Sequence, residues 1–178
     1  MTSDLTGSSD EDDGLSEYAR GVENARKAVR KALEAAGLQP EYRVLPNDVP
    51  TAVAAAESIG CEVGAIANSL VFTADGEPVM VMASGAHRVD PLLVAPLFGA
   101  TKLKRADAET ALRATGQHVG GCAPCGHPAP LRIVVDETLR THAELWVSGG
   151  DKATVMRLTF DELVQLTSGQ VATITTHA

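Results

Sequence analysis

Aromatic residues are scarce in this chain: one Trp, two Tyr and three Phe among 178 residues, or 3%. A core built on stacked rings is therefore excluded, and the bulk must come from Ala and Val, which suit helices packed closely on a sheet. No apolar run approaches the roughly 20 residues needed to span a bilayer. The first 14 residues lack the basic and apolar regions of a signal peptide, so a soluble, cytoplasmic protein without membrane partners is expected. Only three cysteines are present, Cys61, Cys122 and Cys125, an odd number that does not read as an extracellular disulfide framework. Net positive charge is lacking as well. The formal charge of −8 excludes a broad, non-specific nucleic-acid binder, which needs a basic surface to release counterions. Five of the negative charges belong to Asp4, Asp10, Glu11, Asp12 and Asp13; the remaining chain carries −3, and a local basic patch is compatible with it.

The length fits one domain able to bury roughly two thirds of its unfolded surface. Residues 1–14 mix Ser, Gly, Thr and acids with hardly any apolar anchor and read as a disordered acidic tail, leaving residues 15–178 as the folded domain. From Ser16, the spacing of Tyr18, Val22, Ala25, Val29, Leu33 and Ala36 predicts an amphipathic helix ending at Gly37. Tyr42–Leu45 is a short strand candidate, and Thr51 can cap a helix running to Ile59. Ile66–Thr73 and Glu77–Ala83 read as strands of an antiparallel hairpin turning at Asp75-Gly76. Asp90 and Asp107 are helix caps for 91–98 and for the segment ending at Gly116, with a strand at 102–104 between them. Further strands are expected at 131–135, 144–148, 154–158 and 171–174, with a helix at 160–167. Trp146 is expected in the core. Hairpins interleaved with helices predict an α/β domain with a mixed, curved sheet surrounded by helices.

Residues 115–128 hold four glycines and two prolines in fourteen positions and can form neither a regular helix nor a central strand. The same loop contains Cys122-x-x-Cys125-x-His127. Two such thiols can converge on zinc or form a dithiol, but a zinc site needs a fourth ligand, and the spacing of Cys61, His87 and His118 selects none of them. Small residues tolerated in a loop are the plainer reading, with no metal assigned. No Ser, His and Asp are spaced to suggest a serine hydrolase.

Three segments in order, Ala65-Ile66-Ala67-Asn68-Ser69-Leu70-Val71-Phe72, Ser84-Gly85-Ala86-His87-Arg88-Val89-Asp90 and the glycine-rich loop through Pro128, are followed by Val147-Ser148-Gly149-Gly150 and Phe160-Asp161-Glu162-Leu163. Over roughly residues 38–176 this arrangement resembles the YbaK/ProX family of aminoacyl-tRNA editing domains, also found inserted in prolyl-tRNA synthetases. The resemblance implies trans-editing: hydrolysis of the ester joining a wrong amino acid, such as alanine or cysteine on tRNA(Pro), to the terminal adenosine. It implies no cofactor and no protein nucleophile, because family members lean on groups of the substrate. Its partners would be an aminoacylated tRNA end and an aminoacyl-tRNA synthetase; no oligomeric state is implied.

Carried onto this chain, the resemblance makes Asn68, Gly120 and Gly121 the catalytic candidates, the glycines as backbone donors to the oxyanion. Ser69, Arg88, Asp90, Pro124, His127, Ser148 and Gly149 are candidates for substrate binding, with plainer roles available to several. Arg88 and Asp90 can be a strand end and a helix cap, His127 a loop-ordering side chain, and Ser148 a turn former. Lys102, Lys104, Arg105 and Lys152 are candidates for tRNA phosphates, the first three equally able to form a solvated face. Asn68 stands where the family usually has lysine; it can hydrogen-bond but brings no charge. A non-catalytic module of the same fold, binding a tRNA end or nucleotide, is therefore the alternative.

Overall fold

The computed structural model describes residues 9–46 and 51–176. The chain opens with helix α1, Ser9–Ala35, followed by strand β1, Tyr42–Val44, and helix α2, Ala52–Ile59. Helix α1 begins seven residues before the expected Ser16, so residues 9–14 of the expected tail are helical, while residues 1–8 lie outside the described residues. Ser and Asp are favoured where helices start, and acidic residues in a first turn complement the helix dipole. Polarity there was compatible with order. At its other end α1 closes with a paired hydrogen-bond motif, Leu38 N–H to Leu33 C=O at 2.9 Å and Gly37 N–H to Glu34 C=O at 3.0 Å.

Strands β2, Ala67–Ala74, and β3, Glu77–Ser84, form the expected hairpin, in register from Ala67 opposite Ser84 to Ala74 opposite Glu77. Asp75 and Gly76 both take positive φ, as this tight turn requires. The Asp75 carboxylate accepts from the Thr101 and Lys102 N–H groups and fastens the turn beside strand β4, Leu103–Arg105. Helix α3, Pro91–Val94, is capped by Asp90 as expected, but its continuation over Ala95–Phe98 tightens to a 3-10 turn. Pro96 has no N–H to give to an α-helical ladder there. Helix α4, Ala108–Thr115, precedes the glycine-rich loop; then come β5, Ile133–Asp136, β6, Leu145–Ser148, β7, Thr154–Leu158, helix α5, Phe160–Thr167, and β8, Gln170–Ala172. Two further 3-10 turns, Val63–Ala65 and Glu137–Thr141, have no periodicity to announce them.

The strands form a mixed five-stranded sheet in the order β4-β2-β3-β5-β8 and an antiparallel three-stranded sheet in the order β1-β7-β6. An isolated parallel bridge between Ile66 and Trp146 links them, so the strands divide between two sheets where one mixed sheet was expected. Both faces of β3 are covered. Met80 and Met82 pack with Val29 and Leu33 of α1 and Leu163 of α5, whereas Val79, Val81 and Ala83 pack with Val94, Phe98 and Ile174. Helix α1 also supports the glycine-rich loop. A Cβ at Gly126, whose φ is +80°, would lie 2.8 Å from the Val29 nitrogen, so only glycine lets the loop rest on the helix backbone. Among the described residues no helix is long and apolar enough to cross a membrane.

Candidate functional site

A cavity of about 320 Å³ opens where the two sheets meet. Its walls come from α2, the start of β2, the ends of β6 and β7, and the glycine-rich loop, so they unite segments far apart in sequence. Asn68, Ser69, Gly120, Ser148 and Lys152 all line it, beside Cys122 and the buried Trp146. Asn68 is half-buried, and its amide makes no hydrogen bond among the described residues. Ser69 Oγ contacts Met82 Sδ at 3.3 Å. Small side chains, Ala52, Ala55 and Ala67, leave the space open.

The turn after β6 fixes one rim. Ser148 Oγ donates to the Asp151 carbonyl and accepts the Gly150 N–H, both at 3.2 Å, so this hydroxyl shapes the turn. Gly149 is buried, donates its N–H to Thr154 C=O at 2.8 Å, and is not among the lining residues. The Asp151 carboxylate accepts from Arg26 Nε at 2.6 Å, Ala153 N–H at 2.8 Å and Thr154 N–H at 3.0 Å. Burial alone raises its pKa, but these donors and the Arg26 charge outweigh it and hold the group below the ordinary carboxylate value. Lys152 is thereby placed, exposed, at the cavity mouth.

The facing rim is the glycine-rich loop. A Cβ on Gly121 would fall 2.7 Å from the Asp151 carbonyl carbon and 2.8 Å from the Lys152 nitrogen, so glycine is what lets loop and turn touch. The two glycines expected as paired donors differ. Gly121 N–H is committed to the His118 carbonyl at 2.9 Å, whereas Gly120 N–H makes no hydrogen bond among the described residues. Behind them sits a residue no motif singles out: Gln117, 1% exposed, donates Nε2 to the Cys125 carbonyl at 3.0 Å and accepts the Ala123 N–H. A polar side chain immediately after a helix-ending glycine, in a loop with unpaired backbone groups, was the only available signal.

Other expected site residues lie elsewhere. Pro124 and His127 line a separate open depression of about 600 Å³ with Phe98, Arg132 and Leu166. His127 Nε2 pairs with the Ala123 carbonyl at 3.0 Å; burial lowers its pKa, and the residue orders the loop. Neither Pro124 nor His127 lines the cavity that holds Gly120. Asp90 spends its carboxylate on the Leu92 N–H at 3.0 Å, and neither it nor the exposed Arg88 lines the cavity. Lys102, Lys104 and Arg105 sit on or beside β4, which pairs with residues 72–74, the far half of β2 from Asn68. Arg105 stacks over Phe72 at 5.2 Å.

Cys122 and Cys125 are shielded, whereas Cys61 is half-buried. Burial raises the Cys122 thiol pKa and pushes that of Cys125 up to about 12, so both are protonated at neutral pH. Among the described residues no group of three or more His, Cys, Asp and Glu is arranged to hold a metal ion. Ser84, His87 and Asp136 do come together at the end of β3, yet Ser84 Oγ donates to the Gly64 carbonyl at 2.9 Å and His87 Nδ1 faces Thr138 and Asp136. That network ties strand ends together.

Residues 46–166 match the aminoacyl-tRNA editing domain. The chain belongs to the aminoacyl-tRNA editing domain family. Its editing domain is similar to part of the proline–tRNA ligase of Staphylococcus aureus strain JH1, with 24% identity over 132 residues, 74% of this chain. The match spans only 22% of that ligase, about a fifth of its length. Among solved structures, a candidate trans-editing enzyme for prolyl tRNA synthetase shares 36% identity with a TM-score of 0.79, covering 84% of this chain and 96% of that one. A hypothetical protein of 25% identity has a TM-score of 0.76, covering 83% and 98%. The editing-domain fold thus extends well beyond the family match.

Proposed function

We propose that this editing domain acts in trans as an aminoacyl-tRNA deacylase, hydrolysing the ester of a mischarged tRNA such as alanyl- or cysteinyl-tRNA(Pro). The observation that supports this reading is the convergence of Asn68, Gly120 and Lys152 on one cavity of a size suited to a terminal aminoacyl-adenosine fragment. Water adds to the ester carbonyl, its electron pair forming the new C–O bond while the carbonyl electrons move to oxygen. The unpaired Gly120 N–H is the donor available to that oxyanion, a role in which a single donor is worth roughly 10²–10³ in rate. Collapse expels the ribose oxygen, which takes the proton lost by water, and the amino acid leaves. Asn68 orients the ribose or the amino acid, with Ser69 and the Ser148 turn as the adjoining wall. Lys152 supplies at the mouth the charge that Asn68 lacks. The alanine-lined wall favours small amino acids. No residue here requires a metal or organic cofactor in this scheme. The partners are the tRNA acceptor end and, in the same cytoplasmic translation machinery, a synthetase.

A second reading has its own observation. With the neutral Asn68 in the family's lysine position, the same cavity can bind a tRNA end without efficient turnover. Release of amino acid from tRNA(Pro) charged with alanine, cysteine or proline, against a no-enzyme control at matched pH, separates the two. Selective acceleration for one ester, reduced by Asn68→Ala with an unchanged melting curve, supports the deacylase. Binding of these tRNAs without acceleration supports the module, and an Asn68→Ala rate equal to an active wild type removes Asn68 from the mechanism.

A further inference from the structure

Helix α1 holds seven acids and five bases, but the acids lie mostly toward its start and the bases cluster in one stretch, flanked by Glu17 and Glu34. Residues 20–31 hold Arg20, Arg26, Lys27, Arg30 and Lys31 against one acid, Glu23, a net of +4 within a protein of −8. All five cations are exposed. Arg20, Lys27 and Lys31 follow one another along the crest of the helix, Arg26 and Arg30 along its flank, over an axial length of about 16 Å. Their charge is largely unspent. Arg30 and Lys31 make no ion pair among the described residues, and Arg20 donates only to Ser16 Oγ at 2.8 Å. Lys27 meets Glu23 at 3.6 Å between side chains that are both about two-thirds exposed, a geometry worth little in water.

The position of this track matters as much as its charge. Arg26 on the flank is bonded to Asp151, the residue before Lys152, so the basic stretch is fastened to the turn at the cavity mouth. Tyr18 of the same helix lies against His118 of the glycine-rich loop, with ring centroids 4.7 Å apart. The β4 cations, in contrast, lie at the opposite half of β2 and share their surface with the Asp75 carboxylate.

We infer that the exposed face of α1, with Lys27, Arg30 and Lys31 at its centre, is the docking surface for the phosphate backbone of the RNA stem whose end enters the cavity. This rests on the deacylase reading for the identity of the RNA. The basic stretch of a helix that precedes the family match at residue 46 then adds a sequence-independent electrostatic contact.

The test is binding of fluorescently labelled tRNA(Pro) from about 50 to about 200 mM salt, where each phosphate contact contributes about 0.7–0.9 to the slope of log affinity against log salt. The triple variant Lys27→Gln, Arg30→Gln, Lys31→Gln keeps good helix formers on an exposed face. Its slope should shrink by about 2 to 3, with affinity at low salt down about tenfold or more. Turnover of a short CCA-alanyl ester, which ends before the stem, should be unchanged. Arg30→Lys should retain the wild-type slope. A triple variant with the wild-type slope overturns the inference, as does an equal loss from Lys102→Gln, Lys104→Gln, Arg105→Gln. If wild-type protein hydrolyses no ester, the deacylase reading fails while the two slopes still decide where RNA docks.

Discussion

Replacing Gln117 by alanine should loosen the loop that forms the rim of the cavity. Two backbone groups depend on this amide, the Cys125 carbonyl and the Ala123 N–H, and both residues are buried. Leaving a buried donor or acceptor unpaired costs about 1–3 kcal/mol each. Partial entry of water relieves some of that, so a loss of about 3 kcal/mol is expected, equivalent to a drop of roughly 6–12 °C in a domain of this size. Under the proposed deacylase function, release of amino acid should fall as well, because Gly120 belongs to this loop. Urea unfolding and thermal melts measure the stability term directly. Gln117→Glu offers a sharper test, since it preserves shape and the acceptor for Ala123 but lacks the donor for Cys125 whenever it is ionised. Only the protonated carboxyl can make that bond, so its folded pKa lies above the ordinary value of about 4.3. The stabilising contribution is then fully present below that ordinary value and is lost as pH rises through the folded pKa. The variant should approach wild type in acid and fall away from it toward neutrality. A Gln117→Ala protein within about 0.5 kcal/mol of wild type, the range of an inconsequential surface change, would refute the proposed pinning.

Two further outcomes follow from the same rims. Asp151→Asn should destabilise the protein by about 1–2 kcal/mol at neutral pH, the Coulomb part discounted because the Arg26 side chain is 46% exposed. The folded pKa of Asp151 is depressed, so its contribution is present above the ordinary value of about 3.9 and lost as pH falls through the folded value. The gap from wild type should therefore close in acid, and a gap constant with pH would contradict the ion-pair account. Thiol modification of the native protein should reach the half-buried Cys61 first, with Cys122 and Cys125 reacting only after denaturant is added. Rapid native labelling of Cys125 would show that the loop is open.

Local chemistry made much of the fold readable. Thr51, Asp90 and Asp107 each cap the helix their sequence context announces, and Asp75-Gly76 closes the hairpin it suggests. The start of α1 was not readable, because a run of serine and acids is equally at home in a tail and a first helical turn. The site divided in the same way. Asn68 and Gly120, singled out through their motifs, line one cavity, but nothing local says that Pro124, four residues from Gly120, opens onto a different depression. Gln117 bonds the Ala123 and Cys125 backbone, a contact without a repeat or spacing of its own. Likewise, the basic residues of α1 read as the polar face of an amphipathic helix until the Arg26–Asp151 bond places them beside the cavity.

The seam between the two sheets has a consequence for substitutions in the cavity. One wall of the cavity is framed by β2 in the five-stranded sheet, the other by β6 and β7 in the three-stranded sheet, with Ile66–Trp146 as the bridge between the two. Substitutions on one wall can thus change the width and polarity of the opening without altering strand register in the other. A scaffold divided in this way can change the chemistry of one wall, at Asn68 for example, while the other wall keeps its shape.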